Sequence, residues 1–185
     1  MTRRLRNLKS AVAAFLLTAG AGLAQGGADR LDDLFAALQR AEGTDAQQIA
    51  AKIASEWSKS GSPAMDLLLE RGRDALDAGE TQEAIGHFTA LIDHAPDFAE
   101  GYNSRATAFF QAREFGPALS DLRRTLALNP RHFGALTGLA VILTDIGAEE
   151  AALEAWREVQ RLFPASPQAG VTILQLERSL NGRSL

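Results

Sequence analysis

The sequence contains no cysteine, only three histidines, and few aromatic residues, which make up 6% of its 185 positions. Without cysteine the chain has no disulfides, thiolate nucleophiles or thiolate metal ligands, and no amino-terminal cysteine for lipid attachment. Alanine and leucine are abundant, whereas a sheet is favoured by valine, isoleucine and threonine. The composition therefore predicts an all-α fold that depends on a packed core.

Residues that commonly serve in catalysis or metal binding are few, and their spacing suits neither role. No two of His87, His94 and His132 have the four-residue helical spacing that favours joint metal ligation. No serine or threonine lies in a nucleophile-elbow sequence. The acidic pairs 32–33 and 149–150 lie at helix starts, where they interact with the helix dipole. We predict no catalytic, cofactor-binding or metal-binding residue and no enzyme.

The first 24 residues have the features of an export signal. Four basic residues between positions 3 and 9 precede the apolar run AVAAFLLTAGAGLA, and small residues stand directly before Gln25. The run is shorter than the roughly 20 residues that span a bilayer, so cleavage after Ala24 is favoured over a membrane anchor. We predict a periplasmic protein with no stable membrane span after cleavage.

The charge balance argues against a nucleic-acid partner. The whole chain has a net charge of −4, and residues 1–24 contribute four cations and no acids, so the remainder carries −8. Binding to phosphates depends on clustered lysine and arginine. A protein or peptide partner is expected instead.

Three sets of residues recur with a spacing of 34. They are a proline, an alanine and a large apolar residue four positions after the alanine: Pro96, Pro130 and Pro164; Ala84, Ala118 and Ala152; Phe88, Leu122 and Trp156. Proline ends a helix because it lacks an amide N–H, alanine lets two helices approach closely, and the large residue fills the space between them. The spacing predicts a repeated pair of packed helices.

This pattern resembles the tetratricopeptide repeat, in which each unit is a pair of antiparallel helices. A small residue in the first helix of each unit extends the resemblance: Gly72, Ala106 and Ala140. The resemblance implies an α-solenoid of three units with helices before and after them. The predicted segments are a signal peptide at 1–24, an amino-terminal helical pair or degenerate repeat at 25–64, units at 65–98, 99–132 and 133–166, and a capping helix at 167–185.

The family binds peptides or protein segments on the concave surface formed by the first helices of its units. The resemblance implies that eight residues face this groove: Leu69, Arg73, Asn103, Thr107, Phe110, Gly134, Thr137 and Val141. One version of the family grips the terminal carboxylate of cytosolic chaperones with a set of polar residues. Most of those positions are held here by Leu69, Ser104, Gly134 and Gly138, so that clamp is absent.

The joint NPRHFGALTGLA, residues 129–140, places two glycines in the first helix of the third unit. Glycine in a helix costs roughly 1 kcal/mol relative to alanine, so Gly134 and Gly138 need a compensating role. Close packing is favoured over the alternative that bare backbone N–H groups bind a partner's carboxylate or carbonyl. His132 is interpreted as a turn residue that matters little unless it contacts the partner.

Two arginines, Arg71 and Arg105, stand where the family prefers an apolar residue. An arginine there lays its stem on the core and directs its guanidinium to an acid. We predict a structural role for both.

The sequence as a whole predicts a periplasmic adaptor that binds a peptide or protein segment in the concave groove. It is also similar, through YNSRAT and TLALNPRHFG, to small exported tetratricopeptide repeat proteins of alphaproteobacteria. Two alternatives stay open. One is a self-associating structural module of the cell envelope, joined through the amino-terminal helices. The other is an envelope hydrolase, which needs convergent acid and base groups that the sequence does not display.

Export can be tested with the first 24 residues alone. A fusion of residues 1–24 to a reporter that is active only outside the cytoplasm should give signal, because the basic start and apolar run direct secretion. Amino-terminal sequencing of the full-length protein should find Gln25 as the first residue. Recovery of cytosolic protein that starts at Met1 or Thr2 contradicts the prediction.

Overall fold

The computed structural model describes residues 19–182, with only the backbone for residues 19–28. Over this range the chain forms nine helices: α1 (Ala19–Leu38), α2 (Gly43–Trp57), α3 (Pro63–Asp77), α4 (Thr81–His94), α5 (Ala99–Gln111), α6 (Phe115–Leu128), α7 (Phe133–Asp145), α8 (Glu149–Leu162) and α9 (Pro167–Gly182). Residues 1–18, which include most of the predicted signal peptide, lie outside the described residues. None of the described helices is both long and apolar enough to cross a membrane.

The recurring residues form the centre of each helix pair. Ala84, Ala118 and Ala152 have no exposed surface, and the large residues four positions later are almost completely buried. Pro96, Pro130 and Pro164 each lie two residues after the end of a helix, α4, α6 and α8 respectively. The predicted α-solenoid of antiparallel helix pairs is thereby confirmed, with α3–α4, α5–α6 and α7–α8 as its three pairs.

The turn inside each pair uses one residue with positive φ. These residues are Gly79 at 79°, Arg113 at 63° and Gly147 at 75°. Glycine adopts this conformation freely, whereas a residue with a Cβ is strained in it. Arg113 therefore holds a turn that the other two pairs make with glycine.

Arg105 connects the first two pairs. Its guanidinium makes two hydrogen bonds to Asp121, at 2.7 and 2.9 Å, and a third to Thr89 Oγ1 at 3.1 Å. Asp121 and most of Arg105 are shielded from solvent. The structural role predicted for Arg105 is confirmed, with Asp121 as its acid, while Arg71 is exposed.

The amino-terminal hairpin, formed by α1 and α2, packs on the third pair. Phe35 and Leu38 belong to the same core as residues of α7, α8 and α9. Gln39 Nε2 donates to the carbonyls of Arg161 and Leu162, both at 2.9 Å, where α8 ends. A fourth unit of the solenoid would stack on α3 and α4, at the other end of the array. The hairpin is seen against the third pair instead.

The carboxyl-terminal helix α9 closes the solenoid as the sequence predicts. Ala169, Ile173 and Leu176 enter the core of the third pair. On its outer face α9 leaves Val171 and Leu174 more than half exposed. The apolar surface of the last pair is thus covered by a helix whose own outer face is partly apolar.

Two glycines of the first pair should respond oppositely to an added methyl group. A Cβ on Gly72 would overlap the ring of Phe88, so Gly72→Ala should lower the free energy of unfolding by about 1–3 kcal/mol. A Cβ on Gly86 in α4 meets no atom within 4 Å, so Gly86→Ala should raise it by roughly 0.5–1 kcal/mol through helix propensity. Urea unfolding of both variants measures this, and a loss of stability in both contradicts the packing described here.

Candidate functional site on the first helices of the repeats

A buried carboxylate lies where the first helices of the three pairs come together. Glu100, at the start of α5, accepts hydrogen bonds from Arg73 Nη2 at 2.6 Å and from His132 Nε2 at 2.9 Å. Ser104 Oγ and Asn103 Nδ2 lie 3.4 and 3.3 Å from its oxygens. Arg73 belongs to the first pair and His132 immediately precedes the third. One carboxylate therefore joins all three pairs.

His132 caps the start of α7. Its Nδ1 accepts the backbone N–H of Ala135 at 3.0 Å, so the proton donated to Glu100 is on Nε2. The imidazole is 2% exposed and stacks on the Trp57 ring, with centroids 4.3 Å apart. His132 lies in the turn before α7 as expected, but both ring nitrogens and one ring face are engaged, so it contributes more than a turn residue alone would.

A signal for this burial is present in the repeat itself. The residue one unit before His132 is Phe98, which packs on the core of the first pair. A column that carries phenylalanine in one unit is a column that faces the interior. A histidine there must pair its ring nitrogens with other protein groups.

The end of α2 brings the amino-terminal hairpin into contact with the residues around Glu100. The Trp57 ring also contacts Phe133, with centroids 5.0 Å apart, and Ser58 Oγ accepts a hydrogen bond from Arg73 Nη2 at 3.0 Å. Phe35 of α1 meets Phe133 edge-on at 6.4 Å. Arg73 therefore connects the hairpin to Glu100.

Glu100 is ionised in this setting. Burial opposes the charge, but the interactions with His132 and then with Arg73 outweigh it, so the pKa of Glu100 lies below its ordinary value of 4.5. The position of Glu100 in the first turn of α5 also places it near the positive end of that helix dipole. In this site Arg73 and His132 bind the charged carboxylate of Glu100, and the Trp57 ring stacks on His132.

A small cavity of about 180 Å³ opens beside this cluster, between α5 and α7. Its walls are largely apolar and carry a few polar groups: Asn103, Ala106, Thr107, Phe110, Leu122, Gly134, Gly138, Val141 and Ile142. Five of the eight predicted groove residues, namely Asn103, Thr107, Phe110, Gly134 and Val141, lie in this wall. The cavity is large enough for an apolar side chain, and polar groups at its rim can hold a backbone.

The other three predicted groove residues lie elsewhere. Leu69 is 2% exposed in the core of the first pair, which leaves it no surface for a partner and corrects its assignment. Arg73 is committed to Glu100 and Ser58. Thr137 Oγ1 bonds to the carbonyl of Phe133, one turn earlier, and does not line the cavity.

The two glycines of α7 have different neighbours. A Cβ on Gly134 would lie 3.3 Å from Cε1 of His132, and a Cβ on Gly138 would lie 3.3 Å from a methyl of Leu122. Since the imidazole already occupies the N–H of Ala135, this amide is not available to a partner. Both glycines are closely approached by neighbouring side chains, and their missing side chains also leave the cavity open.

The described residues contain no group of three or more histidine, aspartate or glutamate side chains placed to hold a metal ion. The carboxylate of Glu100 is instead surrounded by nitrogen and hydroxyl donors of the chain.

The lowered pKa predicts how acid acts on the fold. Ionised Glu100 stabilises the folded protein above the unfolded-state pKa, and this contribution is lost as the pH falls through the lower folded-state value. Glu100→Gln should lower the free energy of unfolding at neutral pH by about 1–3 kcal/mol. The difference from wild type should shrink as the pH falls below about 4.5.

Urea unfolding across this pH range makes the measurement. The control is Glu177→Gln, which removes an exposed ion pair with Arg157 on α8 and α9 and should have little effect. A stability difference for Glu100→Gln that is small at neutral pH and does not change in acid contradicts the role given to Glu100.

Comparison with known proteins agrees with the fold. The tetratricopeptide repeat family matches residues 69–116 and 104–167. A TPR repeat-containing protein of Rhizobium etli is 36% identical over 83% of this chain and 76% of its own length. Relatives at 28–29% identity include sperm-associated antigen 1 of Mus musculus and are longer proteins, of which the match spans 12–32%.

Solved structures give the same result. The first TPR of Spaghetti (RPAP3), bound to the HSP90 peptide SRMEEVD, superposes with a TM-score of 0.61 at 25% identity, over 63% of this chain and 93% of that one. The Sgt2 TPR domain of Aspergillus fumigatus gives a TM-score of 0.62 at 20% identity, over 66% and 83%. The chain belongs to the tetratricopeptide repeat family.

Proposed function

We propose that this protein is a periplasmic adaptor that binds a peptide or protein segment on the concave face formed by α3, α5 and α7. The observation that carries the proposal is the cavity between α5 and α7, where Asn103 and Thr107 face an apolar floor. An apolar side chain of the partner enters the cavity. The polar groups at the rim bind the partner's backbone.

The similarity to a peptide-bound relative supports a peptide ligand. The first TPR of Spaghetti is seen with an acidic HSP90 peptide, and its fold matches 63% of this chain. The chemistry of the ligand must differ, because Gly134 and Gly138 stand at two of the positions where the chaperone clamp has polar residues. Glu100, an acid at this place, is already paired within the chain.

The periplasmic location rests on the sequence of residues 1–24. A basic start, a short apolar run and small residues before Gln25 support export and cleavage. A partner in the cell envelope, rather than a cytosolic chaperone, fits both this location and the missing clamp.

Self-association is the second candidate, and α9 supports it better than the amino-terminal helices do. The hairpin is packed on the third pair, whereas Val171 and Leu174 expose apolar surface on α9. Paired apolar residues at this spacing form one face of a helix. Sedimentation of wild type beside Val171→Glu distinguishes a complex of identical chains from a monomeric adaptor.

Filling the cavity should abolish partner binding while preserving the fold. Thr107 is exposed on α5 and lines the cavity, so an arginine there projects into it without disturbing the core. Peptides selected from a displayed random library with the wild-type protein should bind Thr107→Arg roughly tenfold or more weakly. Isothermal titration measures the affinity.

The matched control is Ser120→Arg, which adds the same side chain at an exposed position of α6 outside the cavity wall. This variant should bind the selected peptides as the wild type does. Equal binding by Thr107→Arg rejects the cavity as the partner site.

A further inference from the structure

The amino-terminal hairpin lies across the concave face formed by α3, α5 and α7, where the proposed function places the partner. Ser58, directly after α2, accepts a hydrogen bond from Arg73 of the first pair, whereas Phe35 of α1 meets Phe133 of the third pair, two units away. A helix pair that simply extended a solenoid would contact only the adjacent unit. The hairpin therefore contacts the array as a bound segment does.

The contacts resemble those of a docked ligand. Trp57 presents its ring to the imidazole of His132 at 4.3 Å and to Phe133 at 5.0 Å. Aromatic side chains seated in a pocket of the partner carry most of the energy of protein interfaces. One polar contact lies at the edge of the hairpin, where Arg131 pairs with Asp32 at 2.7 Å and both side chains are about half exposed.

The anchor and the cavity share a wall. Asn103 lines the cavity and lies 3.3 Å from the Glu100 carboxylate, which His132 holds beneath Trp57. Gly134 lines the cavity and lies directly against the same imidazole. A segment that fills the cavity and continues along the face toward α3 meets the Trp57 ring.

A short connection joins the hairpin to the array. Between α2 and α3 the chain has only residues 58–62, and Gly61 has a φ of 81°. Rotation at these residues shifts the hairpin without breaking a helix.

We propose that the amino-terminal hairpin is a built-in competitor that excludes the partner segment from the concave face until it is displaced. The proposal rests on the proposed function, since it describes the regulation of the same site. It predicts that a partner binds more tightly when the hairpin is free to leave and more weakly when it is held in place.

The absence of cysteine makes a direct test available. The double variant Asp32→Cys/Arg131→Cys places the only two thiols of the chain on either side of the hairpin contact. Treatment with a short bismaleimide locks the hairpin on the array, whereas capping both thiols with N-ethylmaleimide removes the ion pair and leaves the hairpin free. The two preparations share one amino-acid sequence.

Peptides selected from a displayed random library with the capped protein should bind the locked protein roughly tenfold or more weakly. The control, Arg157→Cys/Glu177→Cys, carries the same cross-link on α8 and α9, away from the contact, and should bind as its capped form does. Equal affinity of the locked and capped proteins overturns the competition. Failure of both to bind any peptide rejects the proposed function, and with it the competition.

A second readout follows the hairpin itself. Trp156 is 1% exposed, so acrylamide quenching of tryptophan emission reports chiefly on Trp57. Addition of a selected peptide to the capped protein should increase the quenching, because Trp57 leaves His132. Saturating peptide that leaves the quenching unchanged overturns the competition.

Discussion

The carboxylate of Glu100 is the interaction on which the arrangement of the concave face depends. It is buried and ionised, and a buried charge is tolerated only when donors surround it. Arg73 and His132 supply these donors from the first and third pairs, and His132 in turn caps α7 and supports Trp57. The three helix pairs and the amino-terminal hairpin are therefore all connected to the Glu100 carboxylate, either directly or through Arg73 and His132.

The contacts around Glu100 add connections to those between neighbouring units of the solenoid. Stacked repeats contact only their neighbours. Here the docked hairpin also bridges the first and third pairs, through Arg73 and Phe133. The cavity between α5 and α7 lies beside this bridge. One element thus links pairs that are not neighbours and borders the proposed partner site.

The sequence was sufficient to predict the three helix pairs but not the contacts around Glu100. The 34-residue columns reveal the helix pairs because each column meets the same local environment three times, as Ala84 and Phe88 illustrate. The contact of Trp57 with His132 joins residues that no period relates, and the hairpin consequently looked like a separate pair or a degenerate unit. Leu69 was misplaced because its family position faces the groove, whereas here the side chain turns into the core.

The state of the His132 imidazole tests this account most directly. Long-range nitrogen–proton NMR correlations distinguish the three histidines and show which ring nitrogen of each carries the proton. The account predicts that His132 is the tautomer with its proton on Nε2, with a Cε1 proton shifted upfield by the stacked Trp57 ring and restored toward its ordinary position in Trp57→Leu. A His132 signal that shows mixed tautomers and no dependence on Trp57 contradicts it.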